Sequence, residues 1–328
     1  HLVLGYRREA LTRLAVWPLT ADGYGQLTEL EFDEELFSVG PGANPEWHQP
    51  TLRLGFTSFI TPSRVYDRVV ATGEMLLRKA QPVLGEFDPT AYEQHRDWAV
   101  AQDGTRIPLS IVRRKDLPDG PAPTLLYGYG SYEASIDPGF SVARLSLLDR
   151  GMVFAVAHVR GGGEMGRHWY ENGKTLAKKN TFTDFVACAQ HLIDTGGVTA
   201  ADRLVADGGS AGGLLMGAVA NLAPELFTGI LANVPFVDPL TSILDPSLPL
   251  TVIEWDEWGN PPSTTPPRCT STCARTARTR MSRPRIIPRS LRSPASTTPG
   301  CCTSNRPSGS PSCVPPRPAT HRCSSRRR

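Results

Sequence analysis

Hydrophobic and polar positions alternate over residues 1–85 in the manner of short β-strands. Strand-like runs lie at 53–59 (RLGFTSF) and 63–70 (SRVYDRVV), and a Thr-Pro-Ser turn separates them. A further segment at 97–113 contains an Asp-Gly pair, which favours the tight turn of a β-hairpin. The first third of the chain is therefore predicted to be β-structure.

From about residue 120 the pattern changes to continuous apolar runs, each followed by a glycine-rich turn. Buried parallel strands have this character because both faces of their sheet are covered. Segments at 183–193 and 211–222 have helical spacing of apolar residues and lie between the runs. Alternating strands and helices predict an α/β fold with a doubly wound sheet. The four apolar runs are 124–130, 152–163, 203–210 and 229–235.

The periodicity stops after Asn260. Residues 261–328 hold 14 Arg but no Lys, Asp, Glu, Phe, Trp or Tyr, and they are rich in Pro, Ser and Thr. Such a composition buries too little apolar surface to offset the entropy of the chain, so we expect this tail to be disordered. A basic arm that binds nucleic acid is the ordinary interpretation of this pattern.

Cysteine usage differs between the two parts in the same way. Cys188 is the single cysteine before residue 261, and the tail holds the other six. One cysteine in 260 residues excludes a disulfide framework there and favours a reducing, cytoplasmic compartment. The sequence has no apolar run of the ~18 residues that a membrane helix needs and no signal-peptide core. It begins without Met, which predicts a piece of a longer protein.

One motif carries chemistry. Residues 208–213 (GGSAGG) contain G-x-S-x-G, between the strand-like LVAD and the helix-like LLMGAVANL. This strand–turn–helix setting is that of a nucleophile elbow, in which Ser210 stands exposed above the sheet. Ala211 then begins the helix, where its N–H can stabilise an oxyanion. A structural glycine-rich turn is the alternative, and a P-loop is disfavoured because its Lys-Ser/Thr is missing.

A serine nucleophile needs a base, and hydrolases of this kind place Asp or Glu and then His after the serine. The single histidine after Ser210 is His321, inside the tail. His158, His168 and His191 precede the serine and are interpreted as core or surface histidines. The sequence thus has a nucleophile without an evident acid–base relay.

Roughly residues 50–260 resemble the oligopeptidase B group of the prolyl oligopeptidase family of serine peptidases. The resemblance implies an α/β-hydrolase domain preceded by a β-propeller. It predicts a propeller remnant over 1–85 and a C-terminally incomplete α/β-hydrolase peptidase domain over 86–260. The resemblance rests on HVRGGGEMGRHWYENGK (158–174), KKNTFTDF (178–185), GGSAGGLLMGAVANLAPELF (208–227), VPFVDPL (234–240) and EWDEWGNP (254–261).

The resemblance also implies roles for individual residues. Ser210 is the nucleophile, and its oxyanion hole combines the Ala211 N–H with the hydroxyl of Tyr129, a neutral donor suited to a developing negative charge. Glu254 and Asp256 are the acidic residues that match the pocket for a P1 Lys or Arg.

Two further positions match the surroundings of that pocket. Phe236 is expected to wall the pocket against the aliphatic stem of the P1 side chain. Asp137 is a candidate for the adjoining basic subsite, although Gly139 stands where the family often has a second acid.

The tail departs from the family abruptly. Its composition is that of a GC-rich gene translated out of frame. In the neighbouring frame, residues 301–309 permit V-L-Y-I-E-P-A-K-W and 294–301 permit P-G-L-N-D-T-R-V, both similar to family sequence. We therefore expect a base insertion or deletion near codons 260–263 and interpret residues 261–328 as an aberrant, frameshifted tail.

These observations predict a cytoplasmic serine endopeptidase for short peptides with Lys or Arg at P1, without metal or organic cofactor, nucleic-acid partner or membrane contact. Since the relay acid and base are missing, we expect this chain to be inactive and poorly folded. Two alternatives stay open: another α/β-hydrolase such as an esterase, and a non-catalytic protein whose basic tail binds nucleic acid.

Overall fold

The computed structural model describes residues 1–260, so the predicted aberrant tail lies outside the described residues. The N-terminal part is β-structure, as the alternating pattern predicts. Its strands are β1 (Leu2–Arg8), β2 (Leu11–Trp17), β3 (Leu19–Thr20), β4 (Gly23–Tyr24), β5 (Thr28–Glu29), β6 (Phe37–Pro41), β7 (Thr51–Ser58), β8 (Arg64–Val69) and β9 (Met75–Ala80). Strands β6 to β9 pair antiparallel in sequence order and form a four-stranded sheet of the kind found in one propeller blade.

A six-stranded mixed sheet occupies the rest of the described chain, in the order β10-β11-β13-β12-β14-β15. The predicted hairpin is β10 and β11, which are antiparallel, and β12 to β15 pair in parallel. The apolar runs therefore form adjacent strands of one sheet. Its strands are β10 (Tyr92–Val100), β11 (Arg106–Arg114), β12 (Thr124–Gly128), β13 (Val153–Ala157), β14 (Leu204–Gly209) and β15 (Gly229–Asn233).

Helices cover both faces of this sheet, which confirms the doubly wound α/β prediction. Ala155 and Ala157 of β13 belong to a core shared with helices α3 and α4. Val156 points to the opposite face and packs with Leu145 and Leu148 of α1. The helices are α1 (Val142–Leu148), α2 (Arg167–Glu171), α3 (Lys179–Asp194), α4 (Ala211–Leu222), α5 (Pro239–Ile243) and α6 (Thr251–Trp258). In the part of the chain that the structure describes, none of them is long and apolar enough to span a bilayer.

The N-terminal β-structure shares one of these cores. Leu11, Leu36 and Phe59 are buried in the cluster that contains Val156 and the α1 leucines. Their burial contributes to the stability of both regions, since each apolar side chain removed from water adds roughly 1.5–3 kcal/mol.

Strand β13 is shorter than its apolar run predicts. It ends at Ala157 because the next residues turn away: Gly161 has a φ of 100°. The Arg160 guanidinium forms a buried ion pair with Asp184 at 2.6 Å. The HVRGGG segment is therefore a loop at the carboxyl end of the sheet, where ligands bind in open α/β folds.

Candidate active site

Ser210 occupies a strained turn between β14 and α4. Its φ of 54° and ψ of −117° place a non-glycine residue outside the ordinary regions of backbone conformation. Two backbone hydrogen bonds hold this geometry: the Ser210 N–H donates to the Asn233 carbonyl, and its carbonyl accepts from the Phe236 N–H, both at 2.9 Å. The side chain is exposed. This is the elbow geometry that the sequence predicts.

Close backbone packing explains the glycines of the motif. A Cβ at Gly208 would lie 2.5 Å from the carbonyl oxygen of Gly212, and one at Gly212 would lie 2.7 Å from the carbonyl oxygen of Gly128. A Cβ at Gly213 would overlap the Cα of Pro235. Only hydrogen fits at these positions, so the sequence G-x-S-x-G-G allows the turn to pack against β12.

Tyr129 lies beside Ser210. It follows the carboxyl end of β12, whose parallel register with β14 pairs Tyr127 with Asp207. Burial raises the pKa of the Tyr129 phenol, while the neighbouring Ser210 side chain acts in the opposite direction. A raised pKa keeps the phenol protonated, so it retains a proton that it could donate beside the nucleophile. Ala211 is the first residue of α4, so its N–H has no intrahelical acceptor.

Helix α6 carries the two acidic residues predicted for the P1 pocket, and the structure separates them. Burial, and to a smaller extent the Glu254 carboxylate, raises the pKa of the Tyr132 phenol, which lies three residues after Tyr129. Asp256 forms an ion pair with Lys174 at 3.0 Å, and its side chain is 74% exposed. Lys174 lowers the pKa of Asp256. Glu254 thus has no ion-pair partner among residues 1–260, whereas Asp256 already has a cationic partner.

Aromatic side chains connect these elements. Phe236, whose N–H holds the Ser210 carbonyl, packs on Trp258 of α6 with ring centroids 5.5 Å apart. Trp258 meets Tyr132 edge-on at 6.0 Å and donates from Nε1 to the Tyr132 hydroxyl at 3.1 Å. The three rings therefore form one aromatic cluster, which connects the segment after Ser210 with α6 and includes Phe236.

Asp137, the candidate for the adjoining subsite, has a different neighbour. Both of its carboxylate oxygens accept hydrogen bonds from the Arg7 guanidinium, each at 2.7 Å. Arg7 belongs to β1, so the N-terminal β-structure neutralises this carboxylate. Within residues 1–260, no hydrogen bond or ion pair joins Asp137 to Ser210.

The histidines of the described chain lie in other surroundings. His158 is buried, with Nε2 2.7 Å from Ser110 Oγ, and His191 pairs with Asp97 at 2.8 Å. The side chain of His168 is 95% exposed. No hydrogen bond joins any of them to Ser210 within residues 1–260, and His321 lies outside the described residues. Over the same residues, no cluster of three or more His, Cys, Asp or Glu side chains is arranged to bind a metal.

The sequence analysis missed a buried ion pair behind this site. Lys178 and Glu257 meet at 2.8 Å, and neither side chain is more than 2% exposed. Charged residues usually lie on the surface, so local pattern gives no sign of such burial. The signal in the sequence that could have pointed to Glu257 is its spacing. It lies three residues after Glu254, so the two side chains share one face of the helix.

Comparisons with known proteins agree with this architecture. Residues 1–81 match the N-terminal β-propeller domain of prolyl oligopeptidase, and residues 138–276 match the prolyl oligopeptidase family. The chain is 51% identical over 261 residues to dipeptidyl aminopeptidase BI of Pseudoxanthomonas mexicana, covering 79% of this chain and 35% of that protein. It is 44% identical over 261 residues to protease 2 of Moraxella lacunata, covering 79% and 37%.

Solved structures give the same result. Oligopeptidase B from Trypanosoma brucei, with covalently bound antipain, is 45% identical with a TM-score of 0.77, covering 84% of this chain and 39% of that one. Oligopeptidase B from Leishmania major is 45% identical with a TM-score of 0.72, covering 79% and 37%. The chain therefore spans little more than a third of the length of these relatives, and its predicted fold, an α/β-hydrolase sheet preceded by propeller structure, is confirmed.

Proposed function

Because this chain belongs to the prolyl oligopeptidase family of serine peptidases, we propose that it carries the site of an oligopeptidase that cleaves short peptides after Lys or Arg. The observation that carries the proposal is the grouping of three side chains around one elbow. Ser210 is the exposed nucleophile, Tyr129 packs against the same elbow, and Glu254 lies on helix α6, whose Trp258 packs on Phe236.

The chemistry assigned to Ser210 is acyl transfer. Its Oγ forms a bond to the scissile carbonyl carbon, and the carbonyl oxygen takes the negative charge. The Tyr129 phenol and the Ala211 N–H stabilise that oxyanion. Collapse breaks the C–N bond, the serine proton passes to the leaving amine, and water then hydrolyses the acyl-enzyme ester.

Specificity is assigned to Glu254. A P1 Arg or Lys extends its aliphatic stem along Phe236 and Trp258, and its cation meets a carboxylate without an ion-pair partner among the described residues. A charge-assisted hydrogen bond of this kind is about twice as strong as a neutral one. Asp256, which Lys174 already neutralises, is given a secondary role.

We further propose that this chain does not turn over peptides. The proton of Ser210 needs a base, and within residues 1–260 no histidine forms a hydrogen bond with Ser210. His158 contacts Ser110 instead, and His191 pairs with Asp97. Removing triad members typically lowers the rate about 10⁴–10⁶-fold. The frameshift of residues 261–328 remains a prediction of the same kind, and so does cytoplasmic location, which the buried free Cys188 suits.

An activated arginine aryl ester tests the function, because it acylates serine without needing a protonated leaving group. We expect slow, Ser210-dependent release, about 10³–10⁴-fold above water, since binding and the oxyanion hole remain. A short uncharged acyl ester should react at least tenfold more slowly, and Ser210→Ala should remove both reactions. Equal rates for the two esters would favour the esterase alternative.

The substrate set should include a dipeptide ester with a free N-terminus, because the relative at 51% identity is named a dipeptidyl aminopeptidase. Oligopeptidase function predicts that N-blocked and free arginine esters react within about threefold of each other. A strong preference for the free amine would assign the aminopeptidase specificity instead.

A further inference from the structure

Three segments of the chain meet at one buried ammonium group. The Nζ of Lys178, at the start of α3, donates to the Gly130 carbonyl at 2.7 Å, to Ser131 Oγ at 2.5 Å and to Glu257 Oε1 at 2.8 Å. An ammonium has three protons, so all of them are used. Lys178 therefore links the loop after Tyr129 to helix α6.

Glu257 completes the link from the other side. Its Oε2 accepts the N–H of Tyr132 at 3.0 Å, so the two oxygens of one carboxylate hold the lysine and the loop together. Tyr132 has a φ of 60°, a conformation that a non-glycine residue keeps only when its surroundings impose it. The ion pair and the Tyr132 hydrogen bond supply that constraint.

Glu254 is joined to the same unit. It lies three residues before Glu257 and four before Trp258, so the three side chains share one face of α6. The Tyr132 phenol accepts a hydrogen bond from Trp258 Nε1 at 3.1 Å. Helix α6, which carries the carboxylate assigned to the P1 pocket, and the loop that follows Tyr129 are thus joined by the hydrogen bonds of Lys178, Glu257 and Trp258.

A purely stabilising role does not account for this arrangement. Burying two charges is expensive, and well-packed neutral residues often stabilise a fold as well or better. Resting on the function proposed above, we propose that Lys178 and Glu257 are positioning residues that fix the separation between the Tyr129 phenol and the Glu254 carboxylate. A substrate then meets the oxyanion donor and the P1 anion as one rigid unit.

Two ligand comparisons test the Glu254 end and the Ser210 end of this unit separately. Benzamidine binds in a P1 pocket and does not react with Ser210. A P1-arginine peptide aldehyde also bonds to Ser210: Oγ adds to the aldehyde carbon, and the hydroxyl proton moves to the former carbonyl oxygen. The matching arginine alcohol lacks that reaction. The ratio of alcohol to aldehyde Kd, called here the covalent gain, reports whether Ser210 and Tyr129 lie correctly relative to a bound P1 side chain.

The test variant is Lys178→Met/Glu257→Gln, which removes both charges and keeps side-chain size. We expect its covalent gain to fall at least tenfold, since a misplacement of about 1 Å can lower reactivity about 10²-fold. Its benzamidine Kd should change less than about threefold. Glu93→Gln/Arg113→Met is the matched control, because it removes a partly exposed ion pair between the neighbouring strands β10 and β11, outside the proposed site, and should leave the covalent gain unchanged.

A folded double variant with an unchanged covalent gain would overturn the positioning role. If that variant does not fold, Lys178→Arg carries the test, because it keeps the charge but alters the donor geometry. A covalent gain reduced at least threefold supports the role, and an unaltered one overturns it. No Ser210-dependent gain in the unmodified chain would instead overturn the proposed function and this proposal with it.

Discussion

The Arg7 guanidinium holds the Asp137 carboxylate through two hydrogen bonds of 2.7 Å, across 130 positions of sequence. The pair joins the first β-strand to the segment that follows the Tyr129 loop. The side chains are 28% and 31% exposed, so solvent screens the pair only in part. We therefore expect this ion pair to stabilise the folded chain by a free energy at the upper end of the range for surface ion pairs.

A double-mutant cycle of Arg7→Met and Asp137→Asn measures this contribution by urea denaturation. We expect a coupling free energy of about 1 kcal/mol that decreases with added salt. The more exposed pair of Arg167 and Glu171 is the control and should give about 0.3–0.5 kcal/mol. Equal coupling at both pairs would contradict a special role for the bidentate geometry.

Two glycines of helix α4 provide a matched test of the elbow packing. Gly213→Ala should destabilise the chain by roughly 1–3 kcal/mol, because the new methyl overlaps Pro235. Gly217→Ala, one turn later, meets no atom within 4 Å and should stabilise by about 0.5–1 kcal/mol. The free energies of unfolding of the two variants test this difference. If Gly213→Ala also stabilises the chain, Pro235 moves aside at little cost.

The surroundings of His158 predict a pH dependence of stability. Burial lowers the pKa of His158, beside Ser110, Glu164 and Arg96. The unfolded chain then binds more protons as the pH falls below about 6.5, so stability should decrease there, by at most about 1.4 kcal/mol per pH unit.

Unfolding at pH 7, 6 and 5 measures that slope. His158→Asn should flatten it even if the variant is less stable at every pH. His168→Asn is the control, because that side chain is 95% exposed, and its slope should match that of the unmodified chain. A slope that His158→Asn leaves intact would assign the dependence to other groups.

The phenol of Tyr129 is expected to matter only when negative charge forms on the substrate. Tyr129→Phe should slow the acylation of Ser210 by an activated arginine ester about 10²–10³-fold, with little change in benzamidine affinity. Tyr127→Phe removes a half-buried phenol from β12, the strand that Tyr129 follows, and should change the rate less than threefold. Similar losses in both variants would indicate a packing defect of β12.

The two acids of α6 are distinguished by one binding measurement. Glu254→Gln should raise the benzamidine Kd about 10–100-fold, since it removes a charged hydrogen-bond partner. Asp256→Asn should change it less than threefold, because Lys174 already neutralises that carboxylate. The opposite order of effects would make Asp256 the P1 residue.

Local pattern was sufficient for the elements and for the elbow. The sequence places α4 at 211–222, as the structure has it, and β14 within one residue. Both depend on short-range features: the spacing of apolar residues, and glycines where only hydrogen fits. The resemblance added Tyr129, Phe236 and Glu254. Tyr129 packs against the elbow, and Phe236 packs on Trp258 of α6, the helix that also carries Glu254.

The charged partners were decided by the tertiary structure alone. Three pairs of charged residues join positions that are far apart in the sequence. They are Lys174 with Asp256, 82 positions apart, Arg7 with Asp137, 130 apart, and Lys178 with Glu257, 79 apart. Ion pairing depends on distance in space, and strand order sets that distance through contacts remote in sequence. The sequence alone therefore determined which residues are candidates for chemistry, while the fold determined which of the candidate carboxylates are paired with a cation.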